Sequence, residues 1–205
     1  MVGLINEASH LRAYDQPVGQ FNRYRYANGN PYKFTGPDGR VVEYAFKGGA
    51  TLRDGDAVLN HWMKSEAINS ELRQILLSDE TCTIQFNRNG DFGYDESTRT
   101  VHIDVTSGLR IKSSGEIQSP ALGGGHEVSD AAEHDRVGLS AFRSSLVAPQ
   151  SSSDSNGVMQ IKVGVSPEEA RATSVETRAA RELGEAVRKS YGDTNGTVKV
   201  CSPHQ

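Results

Sequence analysis

The chain has little of several things, and each scarcity narrows what it can be. Only two of its 205 residues are cysteine, Cys82 and Cys201, and they lie far apart, with no second Cys at metal-binding spacing. That excludes a cysteine-rich zinc module and a framework of several disulfides; one disulfide stays open, and two free thiols in a reducing compartment are favoured. No run of about 18 apolar residues exists, so no membrane-spanning helix is expected. The first residues, MVGLINEASHLRAYD, lack a basic segment leading into an apolar one, so no signal peptide is expected there. Positive charge is in deficit: 22 Lys and Arg against 26 Asp and Glu leave a net charge of -4, with a pI near 5.9. Neither a nucleic-acid nor a membrane partner is expected from that balance, and the basic, His-rich cluster of a nuclease is missing. Apolar residues make up only 36%, and mean hydropathy is -0.54. The length fits one domain with an appendage or two small domains, and the low hydropathy points to a polar segment outside the core.

What is present centres on residues 121–135, ALGGGHEVSDAAEHD. Three glycines lead into His126-Glu127, and Ala131-Ala132 continue a helix-favouring sequence. At about 100° per residue, a helix puts His126 and Asp130 on one face, with His134 about a turn further on. The H-E-x-x-H zinc motif works this way, with ligands at i and i+4 and the Glu as general base. Here Asp130 holds the second ligand position. Zinc accepts carboxylate oxygen, but the shorter side chain reaches less far than histidine.

Around this stretch the pattern predicts a mixed α+β chain. VVEYAFK (41–47) is a strand ended by Gly48-Gly49. From Asp54 to Asp79 the apolar residues Val58, Leu59, Trp62, Met63, Ile68, Leu72, Ile75 and Leu76 form one helical face. Trp62 and Met63 read as core, and His61 as helix surface. TCTIQF (81–86) and VHIDV (101–105) read as a β-hairpin. Between them Asp91, Asp95 and Glu96 lack the calcium-loop register and read as solvated loop. His102 and Asp104 alternate onto a partly exposed sheet face. Residues 106–118 read as loop. Pro120 suits the first turn of the His126 helix, which can run to Phe142 or Leu146 with Gly138 as a break. Residues 148–157, APQSSSDSNG, read as low-complexity loop, and 158–165 as a short strand. Ser166-Pro167-Glu168-Glu169 is a helix start with a capping box, and that helix can reach Lys189. The last dozen residues read as a short strand or frayed tail.

Two resemblances rest on quoted residues. FNRYRYANGNPYKFTGPDGR is similar to the end of the Rhs repeat-associated core, matching at Asn22, Tyr24, Tyr26, Asn30, Pro31, Pro37 and Gly39. In that family the segment closes a shell, and a variable toxin follows it. Gly36 stands where the family carries the aspartate of self-cleavage, so self-cleavage is not expected here. The resemblance implies an Rhs remnant over 1–40 and a toxin domain over 41–205.

The second spans about residues 80 to 192 and resembles effector-type zinc metallopeptidases. Their pattern is H-E-x-x-H-A, then E-x-x-A-T-x-x-E-N, then R-E-x-G and R-x-x-Y. The matches are His126, Glu127, Ala131, Glu169, Ala172, Thr173, Glu176, Arg181, Glu182, Gly184, Arg188 and Tyr191; the departures are Asp130 and Thr177. The resemblance implies a zincin-like metallopeptidase domain with a small antiparallel sheet and an active-site helix. It implies Zn2+ held by His126, Asp130 and a third ligand, with Glu127 polarising the attacking water and Tyr191 or Arg188 assisting. Glu169 is the first choice as third ligand, with Glu168, Glu176, His134 and Asp135 as alternatives. Glu176 reads either as a residue orienting a ligand or as an exposed helix residue paired with arginines. VHIDV offers an edge for an extended substrate. The expected partners are a target-cell protein substrate, a cognate immunity protein and the Rhs shell of the parent polypeptide. The toxin would be made in a bacterial cytoplasm and delivered into a target cell. Asp130 permits a working ligand, a natural loss of activity or an engineered one. The alternative is a catalytically dead scaffold acting as a protein-binding module.

Overall fold

The computed structural model describes residues 33–35, 41–146 and 165–204. Most of the Rhs-like stretch, the loop expected at 148–157 and nearly all of the strand expected at 158–165 lie outside the described residues.

Eight strands and five helices are described, in a mixed α+β arrangement. The larger sheet holds β1 (Lys33–Thr35), β2 (Val41–Phe46), β3 (Cys82–Asn87), β4 (Gly93–Asp95) and β5 (Thr100–Asp104), in the order β1-β2-β3-β5-β4. It is mixed rather than antiparallel. β2 runs parallel to β3 and β3 parallel to β5, while β1 and β4 are antiparallel to their neighbours. The expected hairpin between β3 and β5 is therefore a correction. The chain leaves β3, forms the edge strand β4 in the stretch expected as loop, and turns back so that β5 slots in between. Alternation marks a strand but not the direction of its partner. β5 is consequently interior, and its edge is not free for substrate.

The loop expected at 106–118 holds β6 (Ser107–Ile111) and β7 (Ile117–Gln118). With β8 (Thr194–Lys199) they form a second, antiparallel sheet in the order β7-β6-β8. Asp104 is buried on the supposedly exposed face, its carboxylate accepting hydrogen bonds from Thr106 and Ser107, whereas His102 is partly exposed.

The helical run expected over 54–79 divides into α1 (Leu52–Trp62) and α2 (Glu66–Leu76). Ser65 accepts from the Ile68 N–H as the N-cap of α2, and such a cap competes with helix continuity. Trp62 is fully buried, but Met63 is only half-buried. The core joins these helices to the sheet through Val58, Trp62, Ile68, Ile84, Phe86, Val101 and Ile103. Burying each such side chain contributes roughly 1.5–3 kcal/mol.

α3 (Pro120–Val137) carries His126 and packs on β5, α2 and α5 (Pro167–Leu183). Its three glycines are helical and permit close approach. A Cβ on Gly123 would lie 2.9 Å from Phe92, one on Gly124 2.8 Å from Ile103, and one on Gly125 2.6 Å from Ile68. Each glycine costs a helix about 1 kcal/mol, a loss offset by bringing α3 against three neighbours at once. Gly138, at φ 80°, ends α3 as expected and starts α4 (Leu139–Ser145). α5 stops at Leu183, short of Lys189, because Gly184 takes a left-handed conformation at φ 71°.

Candidate metal centre

The start of α3 is fixed from three directions. Ser119 caps it by accepting from the Leu122 N–H, and Glu185 accepts from the Ser119 N–H at 2.7 Å and hydroxyl at 2.8 Å. Glu185 also pairs with His61 at 2.6 Å, so His61 is buried rather than on the helix surface. Trp62 Nε1–H donates to the Ala121 carbonyl at 2.6 Å, and the Ala121 N–H donates to the Pro203 carbonyl at 2.9 Å. Apart from the Ser119 cap, none of these contacts has a local sequence signal, since the partners lie in distant segments.

A turn later, His126 is 5% exposed and faces α5. Its Nδ1 lies 3.0 Å from Glu176 Oε2, and its Nε2 lies 3.2 Å from Glu169 Oε2. Glu176 is buried, not an exposed helix residue. Gln118 donates to its Oε1 at 2.9 Å, and Arg188 forms an ion pair with its Oε2. Arg188 NH2 is also 3.0 Å from His126 Nδ1. A guanidinium only donates, so with Nδ1–H donating to Glu176 the two cations meet through that carboxylate. Glu169 spends only half of a capping box on the helix start: its N–H donates to Ser166, while its carboxylate turns to His126 and the Tyr191 hydroxyl. The Arg188 guanidinium lies 5.2 Å over the Tyr191 ring.

The ligand atoms of His126, Glu127 and Asp130 all lie within 4.8 Å of one another. Glu168 and Glu169 are both outside that compact triplet, although Glu169 touches the imidazole. Asp130 and Glu168 are 7% and 3% exposed and share a hydrogen bond. Asp130 Oδ1 and Glu168 Oε1 have no hydrogen-bond partner. His134 and Asp135 are engaged elsewhere: Tyr94 hydroxyl meets His134 Nδ1 at 2.7 Å, and Arg99 pairs with Asp135. α3 continues to Val137, so neither is brought to the cluster.

The electrostatics follow from burial and crowding. Burial works against a charge on His126, but hydrogen bonds to Glu169 and Glu176 outweigh it and raise the imidazole to about 9. Burial, only partly opposed by His126 and reinforced by the charges of Glu169, Glu168 and Glu176, pushes Glu127 up to about 7. Burial and the hydrogen bond to Glu168 hold Asp130 well above the usual carboxylate range. Glu169 goes the other way, its own burial outweighed by His126, Tyr191 and Arg188. Burial and Glu169 raise Tyr191 to about 12, so its hydroxyl stays protonated near neutrality.

One imidazole with several carboxylates, two of their buried oxygens without partners, is a donor set that a divalent cation such as zinc satisfies. No protein-family model matches this chain, and neither does any curated protein or solved structure.

Proposed function

We propose that the chain is the toxin portion of an Rhs-type protein, a zincin-like endopeptidase acting on a target-cell protein. The observation carrying this reading is the placement of His126 between two helices. Its Nδ1 is held by Glu176, its Nε2 points to Glu169, and one of its ring nitrogens lies within 4.8 Å of ligand atoms of Asp130 and Glu127. A carboxylate at the far ring nitrogen orients a metal-ligating histidine. His126, Asp130 and Glu169 would hold Zn2+, which when bound supplies Lewis-acid polarisation of the scissile carbonyl.

Glu127, with its carboxyl raised to about 7, is suited to take a proton from water and return it to the leaving amine near neutral pH. Tyr191 is 41% exposed and keeps its proton, so it can donate to a developing oxyanion. Arg188, buried and paired with Glu176, acts through that carboxylate as a positioning residue. The free sheet edge along α3 belongs to β4 among the described residues, since Tyr94 touches His134 and Phe92 covers Gly123. An extended substrate would add to β4 and not to β5.

Zinc analysis and a growth assay test the proposal on three versions: the parent chain, Asp130→His, and Asp130→His with Glu127→Gln. Toxicity in the second version that disappears in the third supports it. Zinc missing from both the parent chain and Asp130→His sinks it. The alternative, a protein-binding module with a dead site, is favoured by Asp130 at the second ligand position. It predicts partner capture that Glu127→Gln leaves intact.

A further inference from the structure

Asp130 stands where the metallopeptidase pattern has its second histidine, and its side chain is the shorter of the two. The first turn of α5 places a second carboxyl against it. Glu168 is 3% exposed and hydrogen-bonds Asp130. The neighbouring carboxylates have their donors: Glu169 has His126 and Tyr191, and Glu176 has His126, Gln118 and Arg188. Asp130 Oδ1 and Glu168 Oε1 have none, although both are buried. Buried oxygens without donors are rare, and one on each of two paired carboxyls calls for something positive beside them. Helix geometry explains the juxtaposition. Pro167 fixes the first turn of α5, so Glu168 comes off one residue before Glu169 and faces Asp130 while Glu169 faces His126.

We propose that Glu168 is a ligand of the cation held at His126 and Asp130, the two carboxylates together replacing a second histidine. The proposal rests on the zinc reading above. It makes the site richer in oxygen than a two-histidine centre, and it explains how a shortened ligand can still hold metal: the missing reach is supplied from α5.

The test is zinc affinity of the full chain, measured by competition with a chromophoric chelator, with the visible spectrum of the Co2+-loaded protein as a second readout. Glu168→Gln keeps the side-chain volume and removes one buried carboxyl, and its melting temperature in chelator checks that it folds. The expected result is at least about a tenfold loss of zinc affinity and a changed Co2+ spectrum. In the Asp130→His background the same substitution should change affinity less than about threefold, because the histidine no longer needs help. Unchanged affinity in Glu168→Gln, or an equal loss in both backgrounds, overturns the proposal while leaving the zinc reading standing. Absence of zinc from both the parent chain and Asp130→His overturns the two together.

Discussion

Two sets of carboxylates flank α3, and they are treated in opposite ways. In the frame, three carboxylates meet donors. Glu71 on α2 accepts from Arg171 at 2.7 Å and Arg136 at 3.0 Å, tying together α2, α3 and α5. Glu182 reaches the start of α2 through Ser65 and the Ala67 N–H, and Glu185 reaches the start of α3 through Ser119. At the centre, Asp130 and Glu168 face each other, and among the described residues neither forms an ion pair. Charges answered by arginines and helix N-termini hold a fold together. Carboxyls left to one another weaken it, and such strain persists where a site requires it.

This contrast can be broken experimentally. The largest effect is expected at Glu71→Ala, which removes the buried one of the two carboxylates that Arg136 and Arg171 share and leaves them Glu133. Because both arginines are partly exposed, the loss should be about 2 kcal/mol, below the full range for a broken buried pair, and urea denaturation would reveal it. Glu185→Gln should cost about 1 kcal/mol by weakening the hold on Ser119 and His61. Glu168→Gln should have the opposite sign, with about 1 kcal/mol of added stability in chelator. If it destabilises as Glu71→Ala does, the central carboxyls are not strained and the contrast fails.

The smallest and most discriminating effect is in pH. Burial raises Glu127 from 4.5 to about 7, so between those values the folded chain binds a proton that the unfolded chain has lost. The stability it contributes is present below 4.5 and lost as pH rises through about 7. His126, raised from 6.5 to about 9, adds a second decline over that higher window. Glu185 is held below 4.5, its burial outweighed by His61 and Ser119, so its contribution is present above 4.5 and lost on acidification. In chelator, Glu127→Gln should flatten the decline between about 4.5 and 7, whereas Glu185→Gln should flatten only the acid limb. Melting temperatures from pH 3 to pH 9 on the order of one unit apart would separate the two.

Much of the frame was legible where signals are local. Ser166-Pro167 announces α5, Pro120 announces α3, and the apolar spacing of Val58 to Ile75 marks helix. The places that misled have physical reasons. The break at Ser65 is stabilised in part by Glu182, far along the chain, so periodicity ran through it. β6 is a polar five-residue strand whose partner β8 lies near the C-terminus. β3 and β5 have good strand composition, but their relative direction is decided by β4. At the site, His126, Glu127 and Asp130 sit in one helical stretch and were found together. Gln118, Glu185 and His61 were not, because their roles exist only once α1, α3 and α5 have come together.

The chain has a single tryptophan, and its indole N–H is bonded to the first turn of the helix that bears His126. Trp62 thus works as an intrinsic optical probe of that helix. Its emission should be that of an indole shielded from water while α3 is docked, and should shift to longer wavelength when the first turn lifts away. Ion loading, substitution at the carboxyl cluster and opening of the helix can all be followed from this one ring, without attaching a label.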